Sequence, residues 1–173
     1  MKITDLLKPQ SILLNADPVT KADAIYTLGE LMDKGGYLTD KAEYLKAVFA
    51  REESGSTGLG DGIATPHAKS NGVKEAGLAA MVVPNGVDFD ALDGQPSRLF
   101  FMIAAPEGAN DTHLAALAEL SQYLMKDGFA DKLRQVTSAD QVIELFNQAS
   151  EKAQEPVQVP ANDSDDFIVA VKA

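Results

Sequence analysis

The chain has 173 residues, with 15 Lys and Arg against 26 Asp and Glu, which gives a formal net charge of -11. A surface of that sign repels phosphate backbones and excludes nucleic acid as an expected partner. The sequence has no cysteine, which excludes disulfides, a thiolate zinc site and a thiol nucleophile. No apolar run approaches the roughly 20 residues that a membrane helix needs, so we expect a cytoplasmic protein with one sizeable core.

The first third of the chain predicts a turn of helix, a strand and two helices. Residues 3–7 fit a short helical turn, and residues 11–14 fit a brief strand. Asp17-Pro18 predicts the start of a helix, because Asp accepts hydrogen bonds from first-turn amides and Pro suits the first helical position. Thr39 predicts the N-cap of a second helix, and Arg51 falls in its last turn, where a cation suits the helix dipole.

The next part of the chain predicts two buried strands and three helices. Residues 77–83 and 98–105 are apolar runs, and the second is long enough for a central strand covered on both faces. Asn85-Gly86 predicts a hairpin turn into a short strand at residues 87–89, which favours a mixed sheet. The expected helices lie at residues 112–126, 129–134 and 138–148. The pattern therefore predicts an α/β fold with a mixed sheet flanked by helices on both faces.

A glycine-rich stretch at residues 58–69, GLGDGIATPHAK, contains one of the two histidines of the chain. Glycines let the backbone adopt positive φ and approach a bound group closely. Pro66 fixes its own φ and pushes Thr65 toward extended geometry, so His67 is expected where a strand gives way to a loop. His113 is expected at the start of a helix that follows the central strand. Because ligands gather at strand ends and helix N-termini in α/β sheets, both histidines are candidates for one pocket.

A phosphoryl group suits such a pocket. Neutral imidazole is a nucleophile near pH 7 because its unperturbed pKa is about 6.5, so His67 needs no separate general base. The phosphoryl oxygens need donors, which glycine amides, the helix start at His113 and the Arg51 guanidinium would supply. Structural interpretations stay open, with His67 as a partly exposed polar residue and Arg51 as a surface charge. A zinc site using Asp61 or Asp111 also stays open, although no spacing demands one.

Residues 58–69 resemble the signature of the fructose/mannitol family of IIA domains, which belong to the bacterial phosphoenolpyruvate-dependent sugar phosphotransferase system. The resemblance covers about residues 1–148 and includes Arg51 and the segment 110–114. It implies a mixed sheet flanked by helices. It also implies that the domain accepts a phosphoryl group from phospho-HPr on a histidine and passes it to a cysteine of a IIB domain. No cofactor and no metal is implied.

The resemblance assigns roles to particular residues. It implies that His67 is the phosphorylated nucleophile, and that His113 and Arg51 flank it and orient or neutralise the phosphoryl group. Asp61 and Thr65 would support the site, the first because the family has an acidic residue at that position.

The last residues suggest the start of a second domain. Residues 150–166 are rich in Glu, Gln, Pro, Asn, Ser and Asp, and predict a solvated linker after a domain at residues 1–149. Residues 167–173 begin with Phe-Ile-Val-Ala-Val, which resembles the first strand of a fructose-type IIB domain. The chain is therefore expected to be the IIA portion of a fructose transporter, with membrane contact only through a IIC partner.

Two other functions stay open. A nitrogen-type regulatory IIA protein has the same fold and histidine but acts through phosphorylation-dependent protein binding, and it is expected to end near the last helix. A non-catalytic ligand-binding domain predicts that His67 is never phosphorylated.

Overall fold

The computed structural model describes residues 3–108 and 112–154, without the side chains of residues 112, 113 and 151–154. The first elements in chain order are α1 (Ile3–Leu6), β1 (Leu7–Leu13), α2 (Lys21–Lys34), α3 (Lys41–Glu53), β2 (Gly58–Gly60) and β3 (Ile63–Ala64). They are followed by β4 (His67–Ser70), β5 (Gly77–Val87), β6 (Ser97–Pro106), α4 (Thr112–Leu124), α5 (Phe129–Arg134) and α6 (Ala139–Gln154).

The described strands form one mixed sheet in the order β1-β5-β6-β3-β2, and β4 also pairs with β6. Strand β6 is antiparallel to β5 but parallel to both β3 and β4. One apolar core lies between the sheet and α2 and α3, and a second lies between the other face and α1, α4, α5 and α6. This arrangement confirms the predicted α/β fold with helices on both faces, and β6 is the central strand that its apolar sequence predicted.

The helix start predicted at Asp17-Pro18 is wrong by about three residues, and the N-cap predicted at Thr39 is wrong by one. Helix α2 begins after Thr20, whose hydroxyl accepts from the Asp23 N–H while the Asp23 carboxylate accepts from the Thr20 N–H. This reciprocal capping box satisfies two backbone donors at the start of α2. Helix α3 is capped by Asp40, one residue after Thr39.

The hairpin turn predicted at Asn85-Gly86 is also wrong. Strand β5 continues through this pair to Val87, and the strand pairing is irregular between Val82 and Val87. Gly86 has φ 75°, and an irregular strand accommodates such a residue as a bulge does. The antiparallel connection to β6 is made instead by residues 88–96.

The last helix is longer than predicted. Helix α6 has its N-cap hydrogen bond from Gln141 N–H to Ser138 Oγ, as the sequence predicted, but it continues past Gln148 to Gln154. The first residues of the expected linker at 150–166 are therefore helical. The predicted strand at 167–173 lies outside the described residues. Within residues 3–108 and 112–154, every helix is too short or too polar to cross a bilayer.

Candidate functional site

His67 is the first residue of β4 and is 9% exposed. The sequence placed it on a loop, but the strand resumes directly after Pro66. Although Pro66 has no N–H, its carbonyl oxygen accepts a hydrogen bond of 3.0 Å from the N–H of Ile103. His67 is then paired with Ile103 in the parallel β4–β6 ladder. The histidine is therefore held by a sheet rather than by a loop.

A backbone carbonyl fixes the orientation of the His67 ring. Nδ1 of His67 lies 2.8 Å from the carbonyl oxygen of Thr65. Because a carbonyl only accepts, Nδ1 carries the proton, and in the neutral ring Nε2 carries the in-plane lone pair. The buried Thr65 is itself held by a hydrogen bond of 3.0 Å from its N–H to the carbonyl oxygen of Thr57.

The backbone brings both histidine segments to one face of the sheet. Side chains alternate along a strand, and Ala68 packs in the core beneath α2 and α3. His67 therefore turns to the opposite face, where its partner Ile103 packs in the second core. Helix α4 packs on this face against β4 and β6, and His113 is its second residue. The side chain of His113 lies outside the described part of the chain.

Arg51 lies in the last turn of α3, as predicted. Its Nη1 donates to the carbonyl oxygen of Gly55 at 2.8 Å and to Ser54 Oγ at 3.2 Å. Residues 54–57 lead from the end of α3 to β2, and the carbonyl oxygen of Thr57 accepts from the N–H of Thr65. The guanidinium is thus anchored on the segment that leads to Thr57.

Asp61 forms the turn between β2 and β3 and uses its main chain for the contacts described. Its N–H donates to Asp93 Oδ2 at 3.1 Å, and its carbonyl oxygen accepts from Arg134 Nη2 at 2.5 Å. Backbone N–H groups of Gln95 and Asp61 hold the pKa of Asp93 below its ordinary value. These contacts fix the shape of the turn.

The structure does not bring Asp61 to His67. Ile63, just after the turn, pairs with Leu99 of β6, whereas His67 pairs with Ile103. Four strand residues span about 13 Å, and Asp61 lies further still in the same direction. Of the predicted residues, Thr65 contacts His67, Arg51 is anchored at the end of α3, and Asp61 is at the other end of this sheet edge. Among the residues that the structure describes, no three His, Asp or Glu side chains are grouped as metal ligands.

Glu52, a buried carboxylate next to Arg51, was not among the residues predicted from sequence. Its Oε1 accepts from the N–H of Thr57 at 3.1 Å, its Oε2 accepts from the Thr57 hydroxyl, and Lys21 Nζ lies 3.0 Å from Oε1. One signal was present in the sequence. The buried residues Tyr44 and Val48 are four apart, and the next position on that helix face is Glu52.

Fold and site together define an α/β domain built around one oriented histidine at the edge of a mixed sheet. A family model described as "Phosphoenolpyruvate-dependent sugar phosphotransferase system, EIIA 2" matches residues 5–149. The chain belongs to this family, and the recognition made from residues 58–69 is confirmed.

Three named proteins are similar to this chain over most of its length. The "PTS system fructose-specific EIIABC component" of Bacillus subtilis is 45% identical over 148 residues, covering 86% of this chain and 23% of that protein. The "PTS system fructose-specific EIIA component" of Haloferax volcanii is 34% identical over 154 residues, covering 87% of this chain and 100% of that protein. The crystal structure of nitrogen regulatory protein IIA-Ntr from Neisseria meningitidis has a TM-score of 0.76 at 34% identity, covering 83% and 98% of the two chains.

Proposed function

We propose that this domain accepts a phosphoryl group from phospho-HPr on Nε2 of His67 and passes it to a cysteine of a fructose-type IIB domain. The observation that carries the proposal is the 2.8 Å hydrogen bond between His67 Nδ1 and the Thr65 carbonyl oxygen. It keeps the proton on Nδ1 and the lone pair on Nε2. Membership of the sugar phosphotransferase family supplies the class of reaction.

The transfer step needs no general base. The Nε2 lone pair of His67 attacks the phosphorus atom of the donor phosphohistidine, and the N–P bond of the donor breaks with its electron pair returning to the donor ring. The positive charge that develops on His67 is shared with the Nδ1–H group, whose hydrogen bond to Thr65 becomes charge-assisted and stronger. In the second step a cysteine thiolate of IIB attacks phosphorus, and the electron pair of the breaking bond returns to Nε2.

The charge of the phosphoryl group requires nearby donors. Arg51 is the cation that we propose for this role, because it bonds Gly55 in the segment that leads to Thr57, and Thr57 bonds Thr65, whose carbonyl oxygen orients the His67 ring. Helix α4 begins on the face to which His67 turns, so its N-terminal amides and His113 are the second set of donors that we propose. Removing one preorganised donor typically slows transfer by 10²–10³-fold.

We assign the domain to a fructose transporter because the 45% identical Bacillus relative is named as a fructose-specific EIIABC component. The present chain spans 23% of that protein, so the remaining domains are part of the proposal. On this view the residues between Gln154, the end of α6, and residue 167 link the IIA domain to a IIB domain, and IIC provides the membrane contact. The protein would act on the cytoplasmic side of the membrane.

A nitrogen-type regulatory function is the second candidate. It is favoured by the likeness to IIA-Ntr of Neisseria meningitidis, at a TM-score of 0.76 and 34% identity. Such a protein would accept the same phosphoryl group and use it to control protein binding. The higher identity to the fructose-specific relative ranks it second.

Intact-protein mass after incubation with phosphoenolpyruvate, enzyme I and HPr tests the proposal. We expect one acid-labile phosphate on the wild type, none on His67→Ala, and a slower gain of phosphate on His113→Ala. Leu114→Ala, at an exposed neighbouring position, is the matched control and should behave as wild type. No phosphate on a folded wild type, with HPr phosphorylated in the same tube, would reject phosphotransfer and favour the ligand-binding alternative.

A second measurement separates transporter from regulator. The phosphorylated domain is mixed with a purified fructose-type IIB domain, and phosphate on the IIB cysteine is followed over time. Rapid transfer supports the transporter assignment. A phosphohistidine that stays phosphorylated in the presence of IIB supports the regulatory assignment.

A further inference from the structure

We infer that Glu52 is a positioning residue for His67 and acts through Thr57 and Thr65. The inference rests on the proposed role of His67 as phosphoryl acceptor, but not on which sugar or partner is served. It starts from an unusual burial: the Glu52 side chain is only 4% exposed, although it is a carboxylate. Burying such a group is costly unless it is fully paired and hydrogen-bonded.

Both oxygens of Glu52 have partners, and these are Lys21 and Thr57. Lys21 Nζ, 3.0 Å from Oε1, balances the charge and also lies 4.7 Å over the Phe89 ring. The other bonds come from the N–H and the hydroxyl of Thr57. One carboxylate therefore holds the main chain and the side chain of a residue that directly precedes β2.

A short chain of hydrogen bonds connects Thr57 to the histidine. The Thr57 carbonyl oxygen accepts from the N–H of Thr65 at 3.0 Å, and the Thr65 carbonyl oxygen accepts from Nδ1 of His67 at 2.8 Å. Thr57 and Thr65 are 3% and 2% exposed, so water does not compete for these groups. A shift of Thr57 would move the carbonyl that selects the His67 tautomer.

The same carboxylate also supports Arg51. The segment from the end of α3 to Thr57 contains Gly55, whose φ of 150° is one that few residues adopt, and whose carbonyl oxygen binds Arg51. Glu52 fixes the far end of this segment at Thr57. We therefore expect Glu52 to fix the positions of both the His67 ring and the Arg51 guanidinium.

The test compares Glu52→Ala and Glu52→Gln with a variant that removes a buried hydrogen bond elsewhere. Ser11→Ala serves as that control, because Ser11 Oγ is buried and donates to Leu78 O at 2.8 Å on the β1–β5 side of the sheet. Two quantities are measured in the full chain. One is the His67 tautomer by ¹⁵N NMR at a pH where the ring is neutral, and the other is the steady-state rate of phosphorylation by phospho-HPr.

We expect Glu52→Ala to convert the single Nδ1–H tautomer into a mixture. It should also lower kcat at least tenfold while KM for phospho-HPr changes less than twofold. Glu52→Gln keeps an acceptor for the Thr57 N–H and should recover most of kcat. Ser11→Ala should lower the melting temperature without changing tautomer or kcat. Thr57→Val, which loses only the hydroxyl bond, is the variant to use if Glu52→Ala does not fold, and its kcat should fall by a smaller factor.

An unchanged tautomer and kcat in a folded Glu52→Ala protein would overturn the inference. Equal loss of kcat in Ser11→Ala at the same loss of stability would also overturn it, because Glu52 would then act only on the fold. The tautomer is measured without any donor protein. A wild type that takes no phosphate but loses its tautomer in Glu52→Ala would therefore reject the proposed function and leave the positioning role standing.

Discussion

Residues 60–62 and residues 65–67 are neighbours in sequence but lie beside different parts of strand β6. The first group, called here the glycine turn, is followed by Ile63 opposite Leu99, and the second, called the histidine segment, ends at His67 opposite Ile103. One arginine is assigned to each group. Arg134 Nη2 bonds the carbonyl oxygen of Asp61 in the glycine turn, and Arg51, which we propose serves the histidine segment, bonds the carbonyl oxygen of Gly55.

The two segments differ in whether main-chain or side-chain atoms make their contacts. In the glycine turn the contacts described are main-chain ones, made by residues with φ between 55° and 107°. In the histidine segment a buried side chain is oriented by the carbonyl of Thr65. A single sequence signature therefore combines a conformational requirement with a chemical one, and proximity in the motif does not mean proximity in the site.

The largest effect is expected from exchanging the two arginines for alanine. Arg51→Ala should lower kcat for phosphorylation roughly a hundredfold, because a charged donor near the phosphoryl group is lost. Arg134→Ala should leave kcat unchanged and lower the free energy of unfolding by about 1 kcal/mol, because only the bonds to Asp61 and Asp131 are lost. Kinetics of phosphate uptake and urea unfolding of both variants measure this contrast.

Arg51→Lys refines the comparison. Lysine keeps the charge but loses the planar guanidinium, whose Nη1 donates to both Gly55 and Ser54, so we expect partial recovery of kcat. A full rate in Arg51→Ala would remove this residue from the proposed site.

Much of the histidine segment was predictable from sequence, and the reasons are local. Pro66 favours extended backbone at Thr65, and the last-turn position of Arg51 was predicted from the helix pattern, whereas its role at the site comes from the family resemblance and stays a prediction. The distance of Asp61 from His67 depends on the register of β3 against β6, which no local pattern encodes. Glu52 was missed because a buried carboxylate is recognised by its partners, and these come from α2 and from the segment before β2.

Competition between neighbouring signals explains the remaining errors. Asp17-Pro18 is a good helix start in isolation, but Thr20 and Asp23 cap each other reciprocally and so satisfy two backbone donors at the start of α2. Asn85-Gly86 is a good hairpin turn in isolation. In the sheet, Val82 and Val87, which flank this pair, both pair with β6. Gly86 therefore lies in an irregular part of β5 rather than in a turn.

A smaller, pH-dependent effect concerns Tyr44, which hydrogen-bonds the strand residue paired with His67. Tyr44 donates to the carbonyl oxygen of Ile103 at 2.8 Å, whereas Tyr37 donates to that of Leu6, away from the site. Burial raises the pKa of Tyr37 to about 12 and raises the pKa of Tyr44 well above its ordinary value. Both phenols therefore stay neutral in the fold at pH values where the unfolded chain ionises them.

The sign of the pH effect follows from this difference. The stability that neutral Tyr37 contributes is fully present below pH 10 and is lost as the pH rises from about 10 to about 12. Each such tyrosine adds up to about 1.4 kcal/mol per pH unit to the fall in unfolding free energy. Tyr37→Phe and Tyr44→Phe should each make the fall less steep, and Tyr44→Phe alone should also slow phosphorylation. Equal slopes in all three proteins would contradict the assignment.

The next effect tests the conformational role of the glycine turn. Gly62 has φ 76°, and an added Cβ would lie 3.3 Å from Arg134 Nη2. Gly62→Ala should lower the free energy of unfolding by about 1–2 kcal/mol through backbone strain, with kcat unchanged. Gly36→Ala is the matched control, because Gly36 has φ 81° and nothing within 4 Å of an added Cβ. The excess cost at Gly62 measures the contact with Arg134, and a loss of kcat there would show that the turn also serves the chemistry.

The smallest effect is expected from Asp61→Asn. Asparagine tolerates the φ of 55° at this position, so the turn keeps its shape and only the negative charge is lost. Since Asp61 contributes its N–H and carbonyl to the contacts described, we expect less than 0.5 kcal/mol in stability and less than twofold in kcat. A raised KM for phospho-HPr at constant kcat would put Asp61 on the docking surface. A tenfold fall in kcat would mean that its carboxylate reaches the phosphoryl group, and the separation of the two segments would then have no functional meaning.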